Sequence, residues 1–167
     1  KVFVFIGAMD YWPNIDAAIW FAEKIFPKIF KKYPQARFYI VGMNPSDEVK
    51  KLNDIEAVIV TGCVEDVRPY LAYATAAVLP LRVARGIQNK VLEAMAMEIP
   101  VIATDNALQG IKPCADFVPI QADSEAELFS AVEQLIQQPL SIKNTGRSCI
   151  LENYNWDTNL KKIEELL

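Results

Sequence analysis

Residues 2–41 read VFVFIGAMDYWPNIDAAIWFAEKIFPKIFKKYPQARFYIV, and the spacing of apolar residues in this stretch decides the fold. Val2 to Ile6 and Arg37 to Val41 are short β-rich runs that are continuously rather than alternately apolar. Strands buried on both faces of a parallel sheet have that pattern. Between them Ile15, Ala18, Ile19, Ala22, Ile25, Phe26 and Ile29 recur at three- and four-residue spacing, behind Pro13-Asn14 and ahead of Tyr33-Pro34. The spacing predicts a single amphipathic crossover helix joining two parallel strands.

The alternation continues along the chain. Further apolar runs predict strands at residues 58–61, Ala76–Leu79, Val101–Ala103 and 117–120, which makes about six. Helical patterns at 49–52, 67–73, 91–97 and Glu125–Gln137 lie between or after them, and the segments 142–153 and 156–167 are helical only. This is the order of an α/β protein with a doubly wound sheet. A length of 167 residues with 52% hydrophobic content supports one well-buried core. Residues 1–167 are therefore read as one domain, with 141–167 as a helical tail packed on it. The chain starts at Lys1 directly ahead of a strand, as expected of a piece of a longer protein.

Composition removes several kinds of chemistry. A net charge of -4 with scattered Lys and Arg leaves no electrostatic footprint for nucleic acid. The absence of histidine excludes Ser-His and Cys-His nucleophiles and His-based zinc sites. Cys63, Cys114 and Cys149 are odd in number and far apart, so unpaired thiols in a reducing cytoplasm are expected, and no metal site. No apolar run approaches the roughly 20 residues of a membrane span, and no basic-then-apolar leader is present.

In a parallel sheet, ligands bind beyond the carboxyl ends of the strands, so the loops there hold the candidates. The first, Gly7-Ala8-Met9-Asp10-Tyr11-Trp12-Pro13-Asn14, has one glycine and no dinucleotide or P-loop fingerprint. Asn14 reads either as a helix cap or as a ligand contact. The loop 80–90 brings Arg82, Arg85, Gly86, Gln88, Asn89 and Lys90 to the start of a helix containing Glu93. A lysine in the first turn of a helix opposes the macrodipole, unless an anion sits on the free amides there. Lys90 then holds a phosphate, and Glu93, one turn on, accepts hydrogen bonds from ribose hydroxyls. The alternative is a plain surface Lys-Glu pair. In Thr61-Gly62-Cys63-Val64-Glu65-Asp66, Val64 can offer main-chain groups to a base edge, while Asp66 taken alone reads as a helix cap.

Thr61 to Val67, Val78-Leu79-Pro80-Leu81, the block 89–103 and Leu108-Gln109-Gly110 together resemble the C-terminal domain of family-4 glycosyltransferases of the GT-B fold. The loops 7–14 and 84–90 are similar to the branch associated with bacterial exopolysaccharide and exosortase systems. The resemblance implies a Rossmann-like three-layer α/β/α sandwich, the C-terminal half of a GT-B enzyme. It implies a UDP- or GDP-linked sugar as donor, with no metal or other cofactor, and retention at the anomeric carbon. The acceptor, a glycan or a lipid-linked acceptor, then belongs to an N-terminal domain of the same protein, cytoplasmic or peripheral to the inner membrane.

By the same resemblance Glu93 holds the donor ribose, Val64 and Asp66 lie near the base, and Gly7, Asn14 and the loop Gly86 to Lys90 face the diphosphate and sugar. Lys90 and Arg85 stabilise the leaving diphosphate electrostatically. Two departures stand out. Arg85 occupies the position of the family's first motif glutamate, and the first loop lacks the usual basic pair, for which Arg82, Arg85 and Lys90 are expected to substitute. Tyr154 to Asp157 resembles the family's closing helix, although Trp156 also reads as ordinary core. A nucleotide-sugar epimerase of the same fold and a non-enzymatic flavodoxin-like module are the competing readings.

Overall fold

Continuous hydrophobicity in the strands has its expected consequence: Phe3, Val4, Phe5, Phe38, Ile40, Ala76, Val78, Ile102 and Ala103 are fully buried beneath helices on both faces. The computed structural model describes residues 1–114, 117–138 and 146–155. Its six strands are β1 (Val2–Ile6), β2 (Arg37–Val41), β3 (Val58–Gly62), β4 (Ala76–Leu79), β5 (Val101–Ala103) and β6 (Ile120–Gln121). They form one sheet in the order β3-β2-β1-β4-β5-β6, and every pairing is parallel. The chain leaves β1 towards β2 on one side and returns to β4 on the other. A crevice opens at such a switch point, between the loops that follow β1 and β4.

The helices are α1 (Trp12–Trp20), α2 (Phe26–Lys32), α3 (Asp47–Lys50), α4 (Arg68–Ala72), α5 (Asn89–Ala96), α6 (Asp105–Leu108), α7 (Glu125–Gln137) and α8 (Gly146–Asn153). The first crossover is not the single helix that the spacing predicts. A π-helical turn, Phe21–Ile25, separates α1 from α2, and the Phe26 amide reaches back to the Phe21 carbonyl. Pro27 explains the break, because it has no amide to donate and its ring collides with a carbonyl one turn back. The apolar face survives the interruption, since Phe21 and Phe26 both close on Phe38 of β2, with centroids 4.7 and 5.7 Å away.

The last strand is also shorter and later than expected. Pro119 cannot join a ladder, so pairing with β5 begins at Ile120, while Phe117 instead bridges Cys114. α7 begins with a capping box in which Ser124 and Glu127 satisfy each other's backbone amides. A further correction concerns the cysteines: Cys114 and Cys149 are joined as a disulfide, and Cys63 alone is free and exposed. No helix among the described residues is long and apolar enough to cross a membrane. The tail helix is seen as α8, and Trp156 with the residues after it lies outside the described residues.

Candidate functional site

The crevice at the switch point is built from the start of α5 and the loop after β1. α5 begins at Asn89, with extended Gln88 as its N-cap, no side-chain cap and no acidic residue in its first turn. The amides of Asn89 and Lys90 open the helix and lack intrahelical acceptors. Gln88 turns its side chain back to the Arg85 and Gly86 carbonyls at 3.1 and 3.4 Å, which closes the loop. Gly86 adopts φ 65°, a conformation that favours glycine.

Lys90 crosses the carboxyl end of β1. Its ammonium lies 5.6 Å from the Phe5 ring centroid and donates to Asn14 Oδ1 at 2.7 Å. The Asn14 amide donates in turn to the Ala8 carbonyl at 3.0 Å. Asn14 is buried in the first turn of α1, whose N-cap is Tyr11, so the cap reading of Asn14 is overturned. Burial pushes the Lys90 ammonium down to about 8, against the opposing pull of Glu93. The Glu93 carboxyl is raised, first by burial and against the pull of Lys90, although its outer surface stays open to solvent. No ion pair links the two, so a plain surface salt bridge does not describe them.

Gly7 and Gly42 make this arrangement possible by close approach. A Cβ on Gly7 would come within 2.6 Å of the Asn14 amide nitrogen, and one on Gly42 within 1.6 Å of the Gly7 carbonyl oxygen. Gly110 does the same for the other loop: its Cβ would meet the Gly86 carbonyl carbon and oxygen at 2.6 Å. Gly7 and Gly110 are thus positions where two backbone segments or a buried side chain approach closely. No spacing in the chain signals the contacts at Gly42 and Gly110, because their neighbours come from other loops.

The remaining candidates divide. Val64 and Cys63 line a cleft of about 180 Å³ with Ile6, Gly7, Gly42 and Val67, at the ends of β1, β2 and β3. Asp66 accepts the Arg68 amide at 2.9 Å and pairs with its guanidinium, which holds its carboxyl below the usual range. It therefore ties down the start of α4, one residue ahead of the Val67 N-cap. Arg82 does not join Lys90. Its guanidinium pairs with Asp16 of α1 and covers the Trp20 ring at 5.3 Å. Arg85 is exposed on the loop, and its guanidinium has no hydrogen-bond or ion-pair partner among the described residues.

An anion held on the α5 amides would meet one ammonium, a carboxylate on the same helix and a nearby arginine loop. This set suits a phosphate joined to a hydroxylated ring. A larger cleft of about 810 Å³, between α2 and α7, is lined by Lys28, Lys32 and Glu125 but sits on helix faces away from these loops. Its Lys28 and Lys32 are already paired with Glu125 and Glu133. Among the described residues no cluster suits a metal ion.

The family model for glycosyl transferases group 1 matches residues 1–138. The chain belongs to that family. Three solved structures place this group 1 domain among GT-B folds. TarM superposes with a TM-score of 0.79 at 21% identity, covering 99% of this chain and 34% of that one. Anabaena HepE in complex with UDP and glucose gives 0.76 at 16%, covering 99% and 47%. The C-terminal domain of a glycosyl transferase group 1 family protein, LpcC from Francisella tularensis, gives 0.68 at 18%, covering 93% and 87%. The group 1 domain thus spans a third to a half of TarM and HepE, and most of the separately solved LpcC domain. No curated protein matches it in sequence.

Proposed function

We propose that this chain is the donor-binding, C-terminal half of a metal-independent, retaining hexosyltransferase that uses a UDP- or GDP-linked sugar. Its product belongs to exopolysaccharide assembly. The observation that carries the reading is Lys90, an ammonium held by buried Asn14 at the uncapped start of α5. A charge is unfavourable there until an anion arrives.

The diphosphate lies on the Asn89 and Lys90 amides, against the Lys90 ammonium, with Arg85 reaching in from the loop. Glu93 accepts the two ribose hydroxyls. The base enters the cleft between Gly7, Gly42 and Val64, where the glycines leave the backbone bare. As the glycosidic bond breaks, charge grows on the diphosphate, and the helix start and Lys90 stabilise it. Arg82 and Asp66 act behind this arrangement, since Asp16 and Arg68 engage them. Asn14 positions Lys90 from behind rather than touching the donor.

Calorimetric titration of UDP and GDP against wild type, Lys90→Ala and Glu93→Ala tests the assignment. Each variant is expected to lose about 1 to 3 kcal/mol of affinity for the nucleotide that the wild type binds. Unchanged affinity in both would sink it.

A further inference from the structure

Three contacts converge on the stretch between α6 and Cys114. The Gly110 backbone lies so close to the Gly86–Ile87 peptide that no side chain fits between them. Two residues on, the Lys112 amide donates to Tyr154 Oη at 2.7 Å. Cys114 is then bonded to Cys149 of α8, with the Cα atoms 6.0 Å apart, inside the span that a disulfide bridges. α8 is itself seated on α5, where a Cβ on Gly146 would come within 2.9 Å of the Met95 Cα. A strap therefore runs from α8 to the back of the Gly86 loop, and its far end is fastened covalently.

We propose that Cys114 and Cys149 form a reversible redox clasp that holds this strap against the Gly86 loop, and that opening the clasp loosens the loop. Cys149 is fully buried, whereas Cys114 is only partly so, which sets the order of the chemistry. The Cys114 thiolate attacks a low-molecular-weight disulfide, forms a mixed disulfide and expels one thiolate. The Cys149 thiolate then attacks Cys114 Sγ and expels the second. Two protein thiols are oxidised, one small disulfide is reduced to two thiols, and these take up the two protons. Reduction reverses both steps, starting at the more accessible Cys114 sulfur.

The clasp is independent of what the loop binds, so its test needs no nucleotide. The protein is equilibrated in mixtures of reduced and oxidised glutathione, and the linked peptide is quantified by alkylation and mass spectrometry. Each form is then digested briefly with trypsin, and cleavage after Arg85 is timed. We expect a reversible 114–149 link, with cleavage after Arg85 about three- to ten-fold faster in the reduced form, the size of effect that a chain of packed contacts transmits. Cys149→Ser is expected to cleave at the reduced rate in every mixture. Cys114→Ser, at the more exposed partner, gives the same reading if the buried substitution unfolds the protein. Absence of the linked peptide at every ratio, or equal cleavage of the two forms, would overturn the proposal.

Discussion

Lys90 is the residue on which the site turns, and its burial has a measurable consequence. An ordinary lysine titrates near 10.5, and burial brings this one to about 8. Below that value folded and unfolded chains both carry the proton, and the folded chain bears the whole cost of the buried charge, at most about 3 kcal/mol. Above it the folded chain releases the proton first. The unfolded chain then binds more protons, so stability rises with pH until the unfolded lysine also titrates. Urea denaturation of wild type and Lys90→Met is therefore expected to shift in favour of wild type by up to about 3 kcal/mol between about pH 7 and pH 10.5. A difference that stays constant with pH would show that the ammonium is hydrated after all. A bound diphosphate favours the charged form, so binding near pH 8, where burial leaves Lys90 only partly protonated, draws in a proton there. Calorimetry in two buffers of different ionisation heat reads that uptake, which vanishes in Lys90→Met.

At the scale of elements, the end of α5 carries a local conflict that has nothing to do with ligands. Glu98 has φ 56°, while the Glu98 and Ile99 amides close on the Met95 and Ala94 carbonyls, which is a Schellman stop. A left-handed residue with a Cβ costs energy that glycine avoids, so Glu98→Gly is expected to stabilise the domain by about 1 kcal/mol, read as a raised urea midpoint. A lowered midpoint would mean that the Glu98 side chain contributes more than its backbone loses. The elements themselves were largely legible: continuous apolar runs gave five of the strands to within a residue, and the order of runs gave the parallel sheet. Boundaries failed where proline acts locally, at Pro27 inside the crossover and Pro119 ahead of β6. The candidate site was legible as a loop and a helix start, because Lys90 sits against the dipole. Its supports were not, since Lys90, Asp16 and Gly86, the partners of Asn14, Arg82 and Gly110, come from elements distant in sequence. The Cys114–Cys149 bond was hidden for the same reason, because spacing alone does not specify connectivity.

For the molecule as a whole, the distribution of exposed apolar side chains bears on the proposed acceptor domain. Tyr11, Trp12, Met43, Val83 and Ile87 are all exposed, and all stand beyond the carboxyl ends of β1, β2 and β4, Trp12 as the first residue of α1 and the others in the loops. Scattered exposed hydrophobics need no explanation, but these gather around the one crevice where the sheet reverses. In the proposed GT-B arrangement this edge faces the acceptor domain, which would bury them on closure. Trp12 and Val83 are exposed and are assigned to neither the diphosphate nor the ribose, so replacing both with serine separates closure from donor binding. In the isolated chain, Trp12→Ser with Val83→Ser is expected to leave the UDP affinity within about two-fold, since surface substitutions away from special features stay near ±0.5 kcal/mol. The isolated wild-type chain is expected to bind nucleotide without transferring sugar. In the full-length protein the same pair is expected to lower kcat by at least about ten-fold while KM for the donor changes little, because closure completes the site after the donor has bound. Unchanged kcat would detach these residues from the second domain, and sugar transfer by the isolated chain would remove the need for that domain altogether.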